Sequence, residues 1–481
     1  MASLKERSVK GFLWAFAEKW AMQFVNFGVA MVLARLLTPT DYGTVALLTI
    51  FISVSETLVD SGFGRALVQK KDVAELDFNS AFYISMAASL VLYSVMFFAA
   101  PFIARFYDNP ELVGLLRVLS ISIICSAVNG VQNAELNRNL LFHLSFRISL
   151  ISCVVTALAG LSLAYCGYGP WALVISSLGG QISGVISRWY FIAWRPQLMF
   201  SFAAAKGLWS YGWKLAVSSL LDTIYNNLSG LIIGKLYTKA DLAYVNKGHS
   251  SPALVMGTIN GTLGRVAFPA LSKVQDDVAT MRKGAKKFLT VSEFWVMPLM
   301  VGCGVCAPRL VPLLFGDQWY PAIPYMQLSC FSFALWPFHT VNLQVIMAKG
   351  RSDYFLYVEI IKKVFSLLVL VVSYRFGVFA MMAALILICD PFCVLVNAWP
   401  NRGLIDYSPM RQIRDVLPTA FLALLMGVAI WPLGFLPFPG FVVIILQMFC
   451  GAATYLGISY LVKFEPLIEC LATMKQILVR K

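Results

Sequence analysis

The chain is poor in charged residues and in histidine. Only 13% of its 481 residues are charged and three are His, whereas 59% are hydrophobic and the mean hydropathy is +0.75. So few polar side chains cannot cover the surface of a water-soluble fold of this size. This scarcity excludes a soluble globular protein and predicts a polytopic membrane protein.

Motifs that define common membrane enzymes and pumps are also missing. No glycine-rich nucleotide loop precedes a Lys and a Ser or Thr, which argues against a self-contained ATP-driven pump. No His-x-x-Glu or Asp-x-Asp cluster accompanies a domain that would hold a sugar donor. Among the ten Cys, Cys303 and Cys306 have redox or metal spacing, but no second pair or nearby His completes a site. We therefore expect a non-enzyme without cofactor or metal.

Long apolar runs separated by short polar turns predict an all-α protein with about fourteen transmembrane helices, since each span needs roughly 20 apolar residues. The runs are continuous rather than alternating, which favours helices. The first run is too long for a signal peptide, so we expect it to be retained. The predicted spans are 11–37, 42–64, 78–104, 112–137, 145–166, 170–194, 207–234, 241–267, 285–307, 320–348, 353–374, 378–399, 416–434 and 439–462.

An internal repeat predicts how these spans are organised. At a constant offset, Leu36, Thr38, Asp41, Val45, Gly64 and Arg65 match Leu236, Thr238, Asp241, Val245, Gly264 and Arg265. Ala100-Pro101 is likewise echoed by Ala307-Pro308. The repeat predicts two pseudo-symmetric six-helix lobes, 1–205 and 206–403, related by an axis along the membrane normal. Two additional helices and a cytoplasmic tail then occupy 404–481.

Basic residues are distributed unevenly among the connections. With a cytoplasmic N-terminus, the outer turns hold only Arg35, Arg105, Lys235, Lys239, Arg309 and Arg375 of the 38 Lys and Arg residues. The positive-inside rule then places both termini in the cytoplasm. The net charge of +14 is interpreted as this insertion signal and as contact with anionic membrane lipid, not as nucleic-acid binding.

Ionisable and polar side chains within the predicted spans indicate a wet interior. Each charge costs roughly 2.5–3.5 kcal/mol at mid-bilayer unless it faces water or a partner. Helical spacing puts such residues on one face of the first span and one face of the seventh, and the repeat predicts that these faces oppose each other. The predicted substrate-binding cations are Lys19, Lys214, Lys247 and Arg117, and the predicted polar lining is Gln23, Asn26, Ser218, Tyr225, Asn226, Trp336 and His339.

Carboxylates inside the spans are candidates for coupling to a proton or sodium gradient. Asp222 is the first candidate because it lies mid-span on the polar stripe, and Asp60 and Glu56 on the second span are the others. Internal neutralisation, for example of Lys214 by Asp222, is the alternative interpretation of these charges.

Three segments resemble a known family: LARLLTPTDYG at 33–43, GPWAL at 169–173 and GDQW at 316–319. They look like bacterial polysaccharide exporters, lipid-linked oligosaccharide flippases of the Wzx or colanic-acid-exporter type. This group belongs to the multidrug/oligosaccharidyl-lipid/polysaccharide exporter superfamily, and the resemblance covers essentially the whole chain. The family shares no universal site motif, so the residues named above stay predictions from spacing.

The resemblance implies a function and a location. It implies alternating access and transfer of an undecaprenyl-diphosphate-linked repeat unit from the inner to the outer leaflet of the bacterial cytoplasmic (inner) membrane. A proton or sodium gradient would drive the transfer, and other polysaccharide-assembly membrane proteins are possible partners of a chain that we expect to be monomeric. A diphosphate needs cationic partners, and the sugars need amide, hydroxyl and aromatic groups.

Three alternatives remain open. A multidrug exporter of the same superfamily would have similar lobes, but cationic drugs favour acidic cavity residues. A membrane polymerase or ligase of lipid-linked glycan is expected to carry a large outer loop, and the outer turns here are short. A scaffold role does not explain so many charges within spans.

We expect Lys19→Ala and Lys214→Ala to reduce transport, because each removes a cation that would contact a phosphate. The Arg variants retain the charge and are expected to retain more transport. Leaflet-resolved measurement of lipid-linked glycan is the readout. Unchanged transport in both Ala variants would remove these lysines from the mechanism.

Overall fold

The computed structural model describes residues 22–60, 63–70, 73–139 and 141–470, in which the ordered elements are helices and no strand occurs. Predominantly apolar side chains favour helices here because lipid offers the backbone no partner and a helix satisfies its own N–H and C=O groups. The first unit contains α1 (Met22–Leu36), α2 (Pro39–Asp60), α3 (Phe63–Gln69), α4 (Glu75–Phe106), α5 (Leu112–Leu119), α6 (Ile121–Arg138), α7 (Phe142–Tyr165), α8 (Pro170–Phe191) and α9 (Phe202–Leu236).

The second part of the chain is equally helical. Short 3₁₀ segments follow α11, α14 and α18, and a π-helical segment, Leu385–Cys389, follows α15. The helices are α10 (Lys239–Ser272), α11 (Val278–Phe315), α12 (Ile323–Ala334), α13 (Trp336–Ala348), α14 (Ser352–Ser373), α15 (Val378–Ala384), α16 (Asp390–Ala398), α17 (Asn401–Ile405), α18 (Pro409–Ile430) and α19 (Gly440–Leu461).

Eight helical stretches within the described residues are long and apolar enough to cross a membrane. The prediction of an all-helical multi-pass membrane protein is therefore confirmed, whereas the count of about fourteen spans stays a prediction. The eight stretches are Pro39–Asp60, Glu75–Phe106, Leu112–Arg138, His143–Tyr165, Val278–Phe315, Val378–Ile405, Pro409–Phe435 and Gly440–Leu461.

The outer face of α4 is apolar and unpacked. Its exposed side chains recur every three or four residues: Leu90, Val91, Val95, Phe98 and Phe102. An apolar stripe of this length is rare on a water-soluble monomer. It is the surface expected of a helix that contacts lipid.

Packing within the chain separates two compact units, Met1–Ala243 and Tyr244–Lys481. The first unit contains α9, which the repeat assigns to the second lobe. Thr57 of α2 and Thr223 of α9 hydrogen-bond through their hydroxyls at 3.1 Å. Compactness and sequence repetition are different criteria, so the division into 1–205, 206–403 and 404–481 stays a prediction.

Both copies of the repeated turn have the same local structure. In the first, the Asp41 carboxylate accepts from the backbone N–H (2.9 Å) and the hydroxyl (2.7 Å) of Thr38, and the Asp41 N–H donates to that hydroxyl (3.2 Å). Thr238 and Asp241 repeat these three bonds at 3.2, 2.7 and 3.1 Å. Each pair caps the helix that follows, α2 or α10, by satisfying N–H groups that the helix itself leaves free.

The two turns also approach each other closely within the first unit. A methyl group added at Gly43 would lie 1.9 Å from the backbone carbonyl oxygen of Lys239. Glycine is therefore required at this position. The repeat has a buried Ala243 at the equivalent place, so the two copies share a hydrogen-bond pattern without sharing this contact.

Several predicted spans are interrupted. The span predicted at 320–348 divides into α12 and α13 around Leu335, because Pro337 has no N–H to continue the ladder of hydrogen bonds. The π-helical segment before Pro391 has the same cause. The connection between the predicted spans 241–267 and 285–307 is shorter than expected, since α10 continues to Ser272 and α11 already starts at Val278.

Asp277 explains this early start. Its carboxylate accepts from the backbone N–H groups of Ala279 and Thr280, both at 3.0 Å, and so caps α11. Hydrogen bonds from Thr280 hold the pKa of Asp277 below its ordinary value.

Each unit has its own buried core. One cluster in the first unit joins α3, α4, α6 and α9 and includes Phe63, Leu67, Phe78, Phe82, Val131 and Leu208. A cluster in the second unit joins α10, α11, α13 and α18 and includes Leu271, Met281, Leu289, Phe338, Val345 and Val416. This packing fixes the rotation of each helix, and so determines in which direction its polar side chains point.

We expect Gly43→Ala to lower the unfolding temperature, because the added methyl collides with backbone that cannot rotate away. Overpacking of this kind costs about 1–3 kcal/mol. The matched control is Gly28→Ala in α1, where a methyl meets no atom within 4 Å. Equal unfolding temperatures for the two variants in detergent micelles would contradict the close approach of the turns.

Candidate functional site

A polar face within the first unit is formed by α2, α6 and α8. The Ser122 hydroxyl donates to the Glu56 carboxylate at 3.1 Å, and Gln181 of α8 is a second hydrogen-bonding neighbour of this carboxylate. Glu56 is half-buried. These contacts hold an acidic group among three helices with neutral partners.

Arg188 of α8 extends the same face. Its Nη1 donates to the side-chain oxygen of Asn129 at 2.9 Å, and its Nε and Nη2 donate to that of Asn133 at 3.3 and 3.1 Å. The side chain is half-buried, and no salt bridge to it occurs within the described residues. Two of the five guanidinium N–H groups remain for a further acceptor. The group is therefore an arginine cation held in place by uncharged amides.

Gly184 makes room for this arrangement. A methyl group at that position would lie 2.9 Å from Nη1 of Arg188 and 3.0 Å from the Ser152 hydroxyl. The absence of a side chain one turn before Arg188 thus lets the guanidinium lie along α8 towards α6.

Helical periodicity in the sequence indicates this face, although the predicted site residues include neither Arg188 nor its amide partners. Ser122, Ser126, Asn129 and Asn133 follow one another at i, i+4, i+7 and i+11 on α6, and Gln181 and Arg188 are seven residues apart on α8. Helical spacing alone predicts that the first set lies on one face of α6 and the second on one face of α8. That the two faces meet is a tertiary feature that spacing does not reveal.

The predicted cations have different surroundings. Lys19 and the side chain of Lys214 lie outside the described residues. The Arg117 guanidinium packs 4.2 Å from the centre of the Phe97 ring and donates to the Phe97 carbonyl at 3.3 Å. In the second unit, the Lys247 amine lies 4.2 Å from the ring centre of Phe315. Both described cations are thus in contact with aromatic rings, and their role towards substrate stays a prediction.

The predicted polar lining is divided between the two units. In the first, Ser218 and Asn226 are exposed, Gln23 and Tyr225 are half-buried, and exposed Asn26 accepts a hydrogen bond from the Cys153 thiol at 3.3 Å. In the second, Trp336 packs edge-on against Phe333 with ring centres 4.6 Å apart.

The predicted coupling carboxylates all lie in the first unit. Glu56 and Asp60 are one turn apart on α2, and Asp222 is exposed on α9. Asp60 borders a small crevice with Ser126 and Gly130 of α6. Their assignment to ion coupling stays a prediction.

The second unit contains a buried network of amides. Asn342 and Gln412 exchange two hydrogen bonds of 2.8 Å, and Asn401 donates to the Asn342 side-chain oxygen at 2.6 Å. The His339 ring is hydrogen-bonded to Asn397 at 2.8 Å. These contacts join α13 to α16, α17 and α18. The predicted lining residue His339 thus forms one of the hydrogen bonds that hold these helices together.

An apolar groove lies on the second unit between α11, α18 and α19. Its volume is about 410 Å³. Its lining is almost entirely apolar and includes Trp295, Leu299, Met426, Ile444, Met448 and Tyr455.

The fold matches solved structures of membrane transporters. The structure titled "Lipid II flippase MurJ, inward closed conformation" has a TM-score of 0.75 at 14% identity, covering 95% of this chain and 100% of that one. A multidrug MATE transporter of the MOP superfamily is similar in its inward-facing conformation at TM-score 0.62, with 14% identity, covering 82% and 98%. An outward-facing MATE structure also matches, at TM-score 0.53. The chain is therefore a multi-pass membrane protein whose fold is similar to that of these transporters.

Sequence comparison gives the family. The chain belongs to the family "Polysaccharide biosynthesis protein", whose model matches residues 32–324. It is 24% identical to the lipopolysaccharide biosynthesis protein WzxC of Escherichia coli, over 73% of this chain and 72% of that protein. It is 22% identical to the succinoglycan biosynthesis transport protein ExoT of Rhizobium meliloti, over 66% and 65%. The resemblance expected from the segments at 33–43, 169–173 and 316–319 is confirmed.

We expect Arg117→Met to reduce stability by about 1–3 kcal/mol, since it removes a charged hydrogen bond and a cation–π contact. A double-mutant cycle with Phe97→Leu isolates the ring contact. Its coupling free energy, from unfolding in mixed micelles, should be about 0.5–1 kcal/mol. Additive effects of the two substitutions would contradict this contact.

Proposed function

We propose that this protein is a flippase for an undecaprenyl-diphosphate-linked oligosaccharide repeat unit. It moves the repeat unit from the cytoplasmic to the outer leaflet of the bacterial inner membrane by alternating access, and so serves surface polysaccharide biosynthesis. Family membership, the relatives involved in polysaccharide biosynthesis and the fold similar to a lipid II flippase support this proposal.

The observation that carries the proposal is the cation on the polar face of the first unit. Arg188 is fixed by Asn129 and Asn133, which leave its positive charge uncompensated. A guanidinium with two free N–H groups matches the paired oxygens of a phosphate. The surrounding amides and hydroxyls are suited to sugars, so one face serves both parts of the head group.

The lipid tail requires different surroundings. A polyprenyl chain contains no hydrogen-bonding group and is accommodated by apolar surfaces or by the bilayer itself. The groove between α11, α18 and α19 has this character. It supports an amphiphilic substrate over a water-soluble one.

The remaining features follow from the same proposal. The distribution of Lys and Arg supports cytoplasmic termini. A proton or sodium gradient supplies the energy, with Asp222, Asp60 and Glu56 as candidate coupling groups, and the protein acts as a monomer beside other polysaccharide-assembly proteins. Transport changes no covalent bond, so the polar face needs no catalytic group.

A chromosomal deletion tests the function directly. In the deletion strain, lipid-linked repeat units should accumulate on the cytoplasmic leaflet, and the intact gene should restore surface polysaccharide. Normal export in the deletion strain would refute the proposal. Drug resistance conferred on a transport-null host, without any effect on the glycan, would instead identify a multidrug exporter.

Arg188 variants test the site in the same strain. A charged hydrogen bond to phosphate contributes about 1.5–3 kcal/mol, so Arg188→Ala should reduce transport about tenfold to a hundredfold at matched membrane abundance. Arg188→Lys keeps the charge but loses the fork of donors, and intermediate transport is expected. Arg138→Lys is the matched control and should transport normally, since Arg138 donates to the backbone carbonyls of Leu67 and Lys70. Wild-type transport by Arg188→Ala would exclude this residue from substrate binding.

A further inference from the structure

Glu293 of α11 is a carboxyl group in an unusual position. The residue is 0% exposed, and within the described part of the chain neither of its carboxyl oxygens has a hydrogen-bond partner. An ionised carboxylate in such a place would have lost its hydration without any replacement, which carries a large free-energy penalty. The surroundings therefore favour the neutral acid.

Two helices that pack on α11 beside Phe294, the neighbour of Glu293, contribute two further unpartnered groups. Phe294 packs in one apolar cluster with Leu422 and Ala423 of α18 and Tyr455 of α19. Thr419 precedes Ala423 by one turn and Ser459 follows Tyr455 by one turn, so both belong to the faces that meet α11. Both are fully buried, and their hydroxyls have no partner among the described residues.

Two lysines on the same helix as Glu293 are paired with acids. On α11, Lys286 lies two turns before Glu293 and binds Asp415 of α18 at 3.0 Å, and Lys287 binds Glu469 at 3.4 Å. Asp415 also accepts from the Tyr407 hydroxyl at 2.8 Å. Lys286 and Lys287 are therefore already neutralised by Asp415 and Glu469.

The ionisable side chains on the other helices that pack on α11 are either in contact with other groups or exposed. From α19, the Tyr455 hydroxyl donates to the Phe294 carbonyl at 2.8 Å. On α12, Tyr325 packs edge-on against Phe379, and on α13 His339 is bonded to Asn397. Arg402 on α17 is exposed.

We propose that Glu293 is a proton-binding site controlled by the packing of α18 and α19 on α11. The carboxyl group holds a proton while the two helices cover it, and it releases that proton to water when they move away from α11. The Thr419 and Ser459 hydroxyls carry no charge, and neither donates to the carboxyl group of Glu293. This site concerns the protein itself and does not depend on the proposed substrate.

The proposal predicts how stability depends on pH. Above about pH 4.3, the ordinary pKa of Glu, the unfolded chain releases this proton and the folded chain keeps it. Raising the pH therefore favours unfolding, by up to tenfold in the equilibrium constant for each pH unit. Glu293→Gln replaces the acid by a neutral group of the same shape, so its unfolding should release no proton at this position. The free energy of unfolding of this variant, relative to that of the wild type, should therefore rise with pH.

The matched control is Glu359→Gln in α14. Glu359 forms an ion pair with Lys362 at 2.7 Å, so this variant loses a stabilising contact and should not gain stability relative to wild type as pH rises. Unfolding in mixed micelles between pH 5 and 9 is the measurement. Equal pH slopes for wild type and Glu293→Gln would overturn the proposal, and so would failure of Glu293→Gln to fold, because a buried neutral acid should tolerate the amide.

Infrared spectroscopy of the full-length protein gives a second test. A carboxylic-acid C=O band that shifts in D₂O should be present at neutral pH in wild type and Glu359→Gln, and it should be weaker in Glu293→Gln. An unchanged band in Glu293→Gln would contradict protonation. Stabilisation by sodium over potassium at constant pH, lost in Glu293→Gln, would show that the site binds sodium instead of a proton.

Discussion

Lipid provides no hydrogen-bond partner, and this constraint decides how the polar side chains of the spans are arranged. Many Ser and Thr hydroxyls donate a hydrogen bond to a backbone carbonyl of their own helix, as Ser55 does to the Phe51 carbonyl at 2.9 Å. Amides pair across helices, as Asn342 and Gln412 do. Glu293 follows neither rule, so its lack of a partner within the described residues is informative: a spanning helix retains such a group against an energetic cost.

Arg117 and Arg188 have different surroundings and therefore different roles. Arg117 lies on the Phe97 ring and donates to a backbone carbonyl, so its charge helps to fix α5 against α4. Arg188 is held by two asparagine amides and keeps donors free for another group. Both residues are arginines on apolar helices. Of the two guanidinium groups, that of Arg188 is therefore better suited to the anionic head group of the proposed substrate.

Local interactions were predictable from the sequence and tertiary ones were not. The turns at Thr38 and Thr238 repeat because their hydrogen bonds join residues three apart, so the same short motif folds in the same way. The break before Pro337 also has a local cause. The surroundings of Arg188 and Glu293, in contrast, depend on which helices meet, and periodicity describes only one helix at a time.

The last two helices distinguish the surroundings of Glu293 from those of the matching position in the other copy of the predicted repeat. With Ala100-Pro101 aligned to Ala307-Pro308, α4 corresponds to α11 and Met86 to Glu293. Met86 is partly buried against the apolar cluster of α3, α4, α6 and α9, where an acid would be costly. On α11, the equivalent region packs against α18 and α19, which the predicted repeat does not include. A neutral acid is acceptable beneath that cover, and it becomes sensitive to any movement that removes the cover.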